Sequence, residues 1–371
     1  MELSDLWSPI FILLCAFVIG WAAEAAQTFM SRAVALSVLA WLQTLPEFAV
    51  EASIAWHQER DLMIANLTGS LRLLVGLGWP MIFFVHFFFQ GVMKRKKVRE
   101  IKLDDEDFHS VIFLFISISY FLIILAKRQL TWIDSIVLSA IYGAYLYLSS
   151  RLPAHSGEEE EDLPWVARKV VALPRFPKIG VVVTLFALGG LGLYVCVHPF
   201  IQVLQKWAIA AGISTFVFVQ WVAPFLSEFP EKVSAFNWAR QPRKAPMAVM
   251  NMVSSNINQW TMLAAMLPIV FNLSLGRLEP IVFDGFKMHE LALTIAQSFL
   301  GGLLLLDMRF SIWDAGVLFI LWLVQFIYAP SRELILWIYV GWSLIEIVGY
   351  LTRRHMPRAL VLAGKFGERL K

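Results

Sequence analysis

The sequence predicts an all-α polytopic membrane protein, two inverted five-helix repeats followed by an eleventh C-terminal transmembrane helix. Three observations predict it. The 371 residues are 58% hydrophobic and only 16% charged, against roughly 25% charged in soluble domains, and the mean hydropathy is +0.66. Apolar stretches recur from end to end, each near the ~20 residues needed to cross a hydrocarbon core of ~30 Å. Finally, "LQTLPEFAVEASIAW" (42–56) puts a proline and two carboxylates inside an apolar span, and "LSEFPEKVSAFNW" (226–238) repeats the oddity.

Eleven spans are expected, near 7–26, 33–57, 62–92, 108–127, 131–151, 179–199, 207–238, 245–273, 288–306, 310–329 and 333–351. The third carries Pro80, which predicts a kink or a tilt. The first resembles a signal peptide, but no Lys or Arg precedes Arg32 and Glu2 and Asp5 lie ahead of the apolar run. An uncleaved first helix with its N-terminus outside is therefore expected. Most loop cations lie in "KRKKVR" (94–99), the 151–178 loop, "RQPRK" (240–244) and "RRHMPR" (353–358). Eleven alternating spans from an outside N-terminus put all four inside, as the positive-inside rule asks. This gives a multi-pass protein of the plasma (inner) membrane with a cytoplasmic C-terminus. The "EEEED" run (158–162) reads as part of a solvated linker.

The repeat is explicit. Pro46 and Glu47 match Pro230 and Glu231; Asn66 and Ser70 match Asn251 and Ser255; Asp134 matches Asp314. Each unit holds five spans, and an odd number forces the second copy to enter the membrane upside down. The organisation is a first repeat (1–151), a linker loop (152–178), an inverted second repeat (179–329), and an extra helix with a basic tail (330–371). Inverted repeats with an interrupted helix in each half place a substrate site near the bilayer midplane. Proline removes a helical donor, so carbonyls near 42–43 and 226–227 lose partners. Lipid tolerates that only where the backbone lines a cavity or binds something.

These residues resemble the signature of the calcium/cation antiporter superfamily, the sodium/calcium exchangers in particular. That family carries two inverted motifs, G-T-S-L-P-E followed by G-N-x-x-G-S-N. Here they read "LQTLPE" (42–47) with "ANLTGSL" (65–71), and "LSEFPE" (226–231) with "MNMVSSN" (250–256). The resemblance implies Glu47 and Glu231 as the central metal-cation ligands. It adds Gln43, Thr44, Ser227 and Glu228 from the first motif, Ser70 and Ser255 from the second, and Gln259 one turn later. The departures are that Leu42 and Leu226 replace glycines, Leu74 stands opposite Gln259, and Arg72 lies two residues past Ser70. A guanidinium in a span needs a counter-charge, and Glu51 or Glu228 is expected to supply it. Lys232, beside Glu231, is a second internal cation.

The function implied is secondary active cation antiport, with calcium or another cation exchanged for sodium or protons by alternating access. The alternative is a degenerate exchanger fold, locked by its ionic pairs, serving as a structural, regulatory or partner-binding subunit. The partners expected are the lipid bilayer and small cations, without nucleic acid, since the net charge of +3 sits in short juxtamembrane clusters. No P-loop, G-x-S-x-G or cysteine cluster supports pumping or enzymatic chemistry, and no cofactor is implied. Cys15 and Cys196 read as buried, inert thiols without ligand-type neighbours, and the seven histidines as scattered. Glu24 and Glu346 read as interfacial, and Asp134 and Asp314 as complements to helix N-termini.

Overall fold

A computed structural model describes residues 5–27, 44–151, 164–352 and 356–369. Gln43, the first part of the second expected span and the "EEEED" run lie outside them. The helices are α1 (Trp7–Gln27), α2 (Leu45–Trp56), α3 (Arg60–Met93), α4 (Phe108–Lys127), α5 (Trp132–Arg151), α6 (Trp165–Val171) and α7 (Arg175–Ala210). There follow α8 (Thr215–Ser227), α9 (Phe229–Ala239), α10 (245–275), α11 (Gly285–Leu305), α12 (Ile312–Ile327), α13 (Arg332–Thr352) and α14 (Arg358–Arg369). Among the described residues, seven helices are long and apolar enough to cross a membrane, and α8 and α12 are shorter apolar helices.

Two expected boundaries are corrected. The sixth span was expected to stop at 199, yet α7 runs for 36 residues to Ala210, about 54 Å at 1.5 Å per residue. Residues 200–206, between the two expected spans, are helical, and Lys206 reaches Asp5 at 2.9 Å. The helix ends where Gly212 takes φ +66°, a left-handed conformation that glycine adopts without steric cost. The seventh span accordingly begins at Thr215 rather than 207.

The chain divides into two compact units. The first comprises residues 1–66, 146–232 and 270–277. In it α1 packs along α7, and small residues permit the close approach. A Cβ at Gly189 would stand 2.6 Å from Ile19 Cγ1, and one at Gly192 2.5 Å from Cys15 Sγ. Glu24 is 4% exposed, on the turn of α1 whose Ala25 and Ala26 pack on α6 and α7.

The second unit comprises residues 67–145, 233–269 and 278–371. It holds two short antiparallel ribbons that the all-helical reading did not anticipate. Strand β1 (Glu100–Lys102) pairs with β4 (Arg309–Ser311), and β2 (Gln129–Leu130) with β3 (Ile281–Val282). The internal repeat carries β1 onto β3 and β2 onto β4, so one ribbon is the symmetry mate of the other. The same symmetry places a π-turn in α3 at Leu74–Gly78 and one in α10 at Gln259–Leu263. Pro80 and Pro268 follow them, and a proline without an amide hydrogen favours such a slip in the ladder. Asp314 closes a capping box with Ser311. Asp134 accepts from Thr131 N (2.6 Å) and Tyr120 Oη (2.8 Å) and pairs with Lys127.

Within the first π-turn, Gly76 lies against Trp322: an added Cβ would meet Trp322 Cγ at 2.2 Å. Gly76→Ala is expected to destabilise the protein by about 1–3 kcal/mol through overpacking. The apparent melting temperature of detergent-purified protein checks this, and an unchanged value would refute the packing described.

Candidate cation site at two proline-started helices

Both P-E motifs open a helix. Leu45 and Pro46 are the first two residues of α2 and Glu47 the third; Phe229, Pro230 and Glu231 hold the same places in α9. Proline is tolerated there because first-turn amides lack helical partners in any case. The chain enters α2 through Thr44, whose carbonyl accepts from Phe48 N at 3.0 Å. It enters α9 through a single residue, Glu228, which accepts from Lys232 N at 3.2 Å. The second interruption is therefore a one-residue kink between α8 and α9 rather than an unwound segment. Each glutamate lies in a first turn, where the helix dipole favours negative charge. Glu47 is fully buried and Glu231 is 4% exposed. Thr44 and Ser227 are buried beside them in sequence.

The remaining implied ligands lie in the second unit. Ser70 on α3 and Ser255 on α10 are buried one turn before the two π-turns, and Gln259 opens the second of these. Leu74 occupies the equivalent place in α3, so the two halves are symmetric in backbone but not in ligand chemistry. Buried Asn258 adjoins Gln259.

The internal cations find partners other than those the sequence suggested. Arg72 was expected to pair with Glu51 or Glu228; it pairs instead with Glu290 on α11, Nη2 to Oε2 2.5 Å. Its Nη1 donates to Gln325 Oε1 at 3.0 Å and its Nε to Thr68 O at 3.3 Å. The other oxygen of Glu290 accepts from Arg332 Nη1 at 2.7 Å, and Arg332 opens α13, the extra C-terminal span. Gln325 Nε2 donates to Gln297 Oε1 (3.0 Å) and Tyr339 Oη (3.2 Å), and Gln297 donates to the Arg72 carbonyl (3.0 Å). Glu290 carries no motif and lies 218 residues from Arg72, so no local signal could announce it. Lys232 forms its ion pair with Glu228 rather than with the adjacent Glu231. That pair binds the Glu228 carboxylate to a cation of the protein itself.

Two further associations join residues far apart in sequence. Cys15 on α1 and Cys196 on α7, read as lacking ligand-type neighbours, lie close to each other. His57, just past α2, stacks on His198 of α7 with ring centroids 4.0 Å apart, though the histidines looked scattered.

Burying two guanidinium groups on one carboxylate is stable only while the carboxylate is present. Glu290→Gln is expected to cost about 3–5 kcal/mol, read as a lower melting temperature in detergent. Arg72→Met in the same chain should recover part of the loss; simple addition of the two losses would contradict the coupling.

Fold and site together define a polytopic membrane protein whose two inverted halves each present a buried glutamate at a proline-started helix. The family model described as sodium/calcium exchanger protein matches residues 6–151 and 181–329, and the chain belongs to that family. The crystal structure of an H+/Ca2+ exchanger, CAX, is similar at 30% identity and TM-score 0.87, covering 97% of this chain and 89% of that one. The sodium–calcium exchanger NCX_Mj, soaked with sodium and strontium, is similar in fold at 19% identity and TM-score 0.56, over 87% of this chain and 96% of that one. No curated protein matches the chain in a search by sequence.

Proposed function

We propose that the protein is a secondary active antiporter that moves calcium, or a cation of similar chemistry, against protons. Glu47 and Glu231 form the centre of the site. The observation that carries this reading is their equivalence: two buried carboxylates at the third residue of two helices that each begin with an apolar residue and proline. A divalent cation of the calcium type takes six to eight oxygens. The carboxylates of Glu47 and Glu231 and the hydroxyls of Thr44 and Ser227 are oxygens of the right kind.

Protons rather than sodium as the counter-ion are supported by the 30% identity with the H+/Ca2+ exchanger. The leucine at 74 removes a polar ligand from the first half, which fits a site with less demand for additional metal ions. Transport proceeds by alternating access, the site opening to one side and then the other. The membrane is the plasma (inner) membrane, with the N-terminus outside. Against the alternative of a degenerate fold locked by its ionic pairs stands the likeness over nearly the whole chain to an H+/Ca2+ exchanger.

The test is radioactive calcium uptake into proteoliposomes under imposed proton and sodium gradients. Proton-driven uptake that is lost in Glu47→Gln and in Glu231→Gln is expected, with a fall of at least about 100-fold, as for a charged group made essential to a buried site. Uptake that survives both substitutions, or that only a sodium gradient drives, would overturn the respective part of the proposal.

A further inference from the structure

Glu51 has no place in the site described above, and its surroundings are unusual. It lies on α2 one turn past Glu47 and is fully buried. Its polar neighbour is the fully buried Asn66 of α3. Yet neither carboxylate oxygen of Glu51, nor the amide nitrogen or oxygen of Asn66, makes a hydrogen bond of ordinary geometry among the described residues. Both residues belong to the first unit.

Among the described residues no cation is bonded to Glu51. Among the described residues, the helices packed most closely against α2 are α1, α7 and α8. Apart from the Cys15–Cys196 pair, their described ionisable side chains are Glu24 on α1 and Lys178, Tyr194, His198 and Lys206 on α7; α8 has none. Lys206 is held by Asp5, His198 stacks on His57 at the far end of α2, and none is bonded to Glu51. Arg72 and Lys232 are engaged by Glu290 and Glu228.

An ionised carboxylate in such a place costs far more than the neutral acid. A carboxyl group kept inside a membrane span despite that cost marks an ion or proton pathway by default. The neighbouring amide suits both states of the acid. Its carbonyl accepts from the protonated hydroxyl, and its NH2 donates to the carboxylate once the proton has left. Metal cations need a shell of oxygens, whereas a proton needs one.

We infer that Glu51 and Asn66 form a proton-carrying subsite, distinct from the two P-E glutamates, which supplies the counter-ion of the exchange. The inference rests on the antiporter reading. In the step itself one O–H bond of the Glu51 carboxyl breaks, the proton passes to water on one side, and a proton from the other side re-forms it. Each cycle of this subsite carries one proton.

The experiment compares two modes of calcium uptake in proteoliposomes: driven by a pH gradient, and driven by internal calcium with no pH gradient. In Glu51→Gln the ratio of proton-driven to calcium-driven uptake should fall about tenfold or more, within the usual range of coupling between sites. Glu51→Asp should restore part of the ratio, and Asn66→Ala should shift the pH of half-maximal proton-driven uptake. An unchanged ratio, or both modes falling together, would overturn the proposal. A second reading does not depend on transport: the infrared carbonyl band of a protonated carboxyl group should be present in purified protein and diminished in Glu51→Gln. Its persistence in the variant would overturn the proposal. Wild-type protein with the band but no calcium movement in either mode would overturn the coupling role because the antiporter reading beneath it had failed.

Discussion

A charge taken into a hydrocarbon slab must be paired, hydrogen-bonded or neutral, and this constraint orders the interior of the molecule. The two basic residues closest to the motifs obey it through carboxylates of their own. Arg72 uses Glu290, and Lys232 uses Glu228. Glu47 and Glu231 lie in matching first turns, where helix amides favour negative charge.

The extra C-terminal helix gains a reason in the same terms. It lies beyond the residues matched by the family model, but it is not an unattached appendage. Arg332 at its first turn shares Glu290 with Arg72, and Tyr339 one to two turns later reaches Gln325, which also accepts from Arg72. The network ties the third, ninth, tenth and eleventh spans of the sequence into one polar cluster. Two positive groups on one carboxylate would be unfavourable without the glutamines around them, and buried networks of this kind are stable only when fully connected.

The architecture was legible because membrane spans and internal repeats are written locally. Twenty apolar residues declare a helix, and two P-E motifs at matched offsets declare the repeat. What the sequence hid depends on encounters between distant segments. Glu290 opens an ordinary amphipathic turn until Arg72 and Arg332 arrive from other helices. His57 meets His198, and Cys15 meets Cys196, only because α7 packs on α1 and α2. The two ribbons are two or three residues long, too short to show alternation. A π-turn inserts one residue into a helix whose pattern is otherwise intact, so Pro80 hinted at a disturbance without giving its form. The length of α7 was misread because Gln205 and Lys206 look like loop residues, whereas they bond to Glu59 and Asp5.

If calcium and protons are exchanged through this protein, calcium binding is linked to proton loss from its buried carboxyl groups, and proton release on calcium binding reads that link. Calcium is added to detergent-purified protein in weakly buffered solution, and the pH and the heat of binding are followed together. The account predicts saturable calcium binding accompanied by release of protons, with fewer released as the starting pH is raised. Calcium binding that releases no protons at any pH, or well-folded protein that binds no calcium, would contradict it.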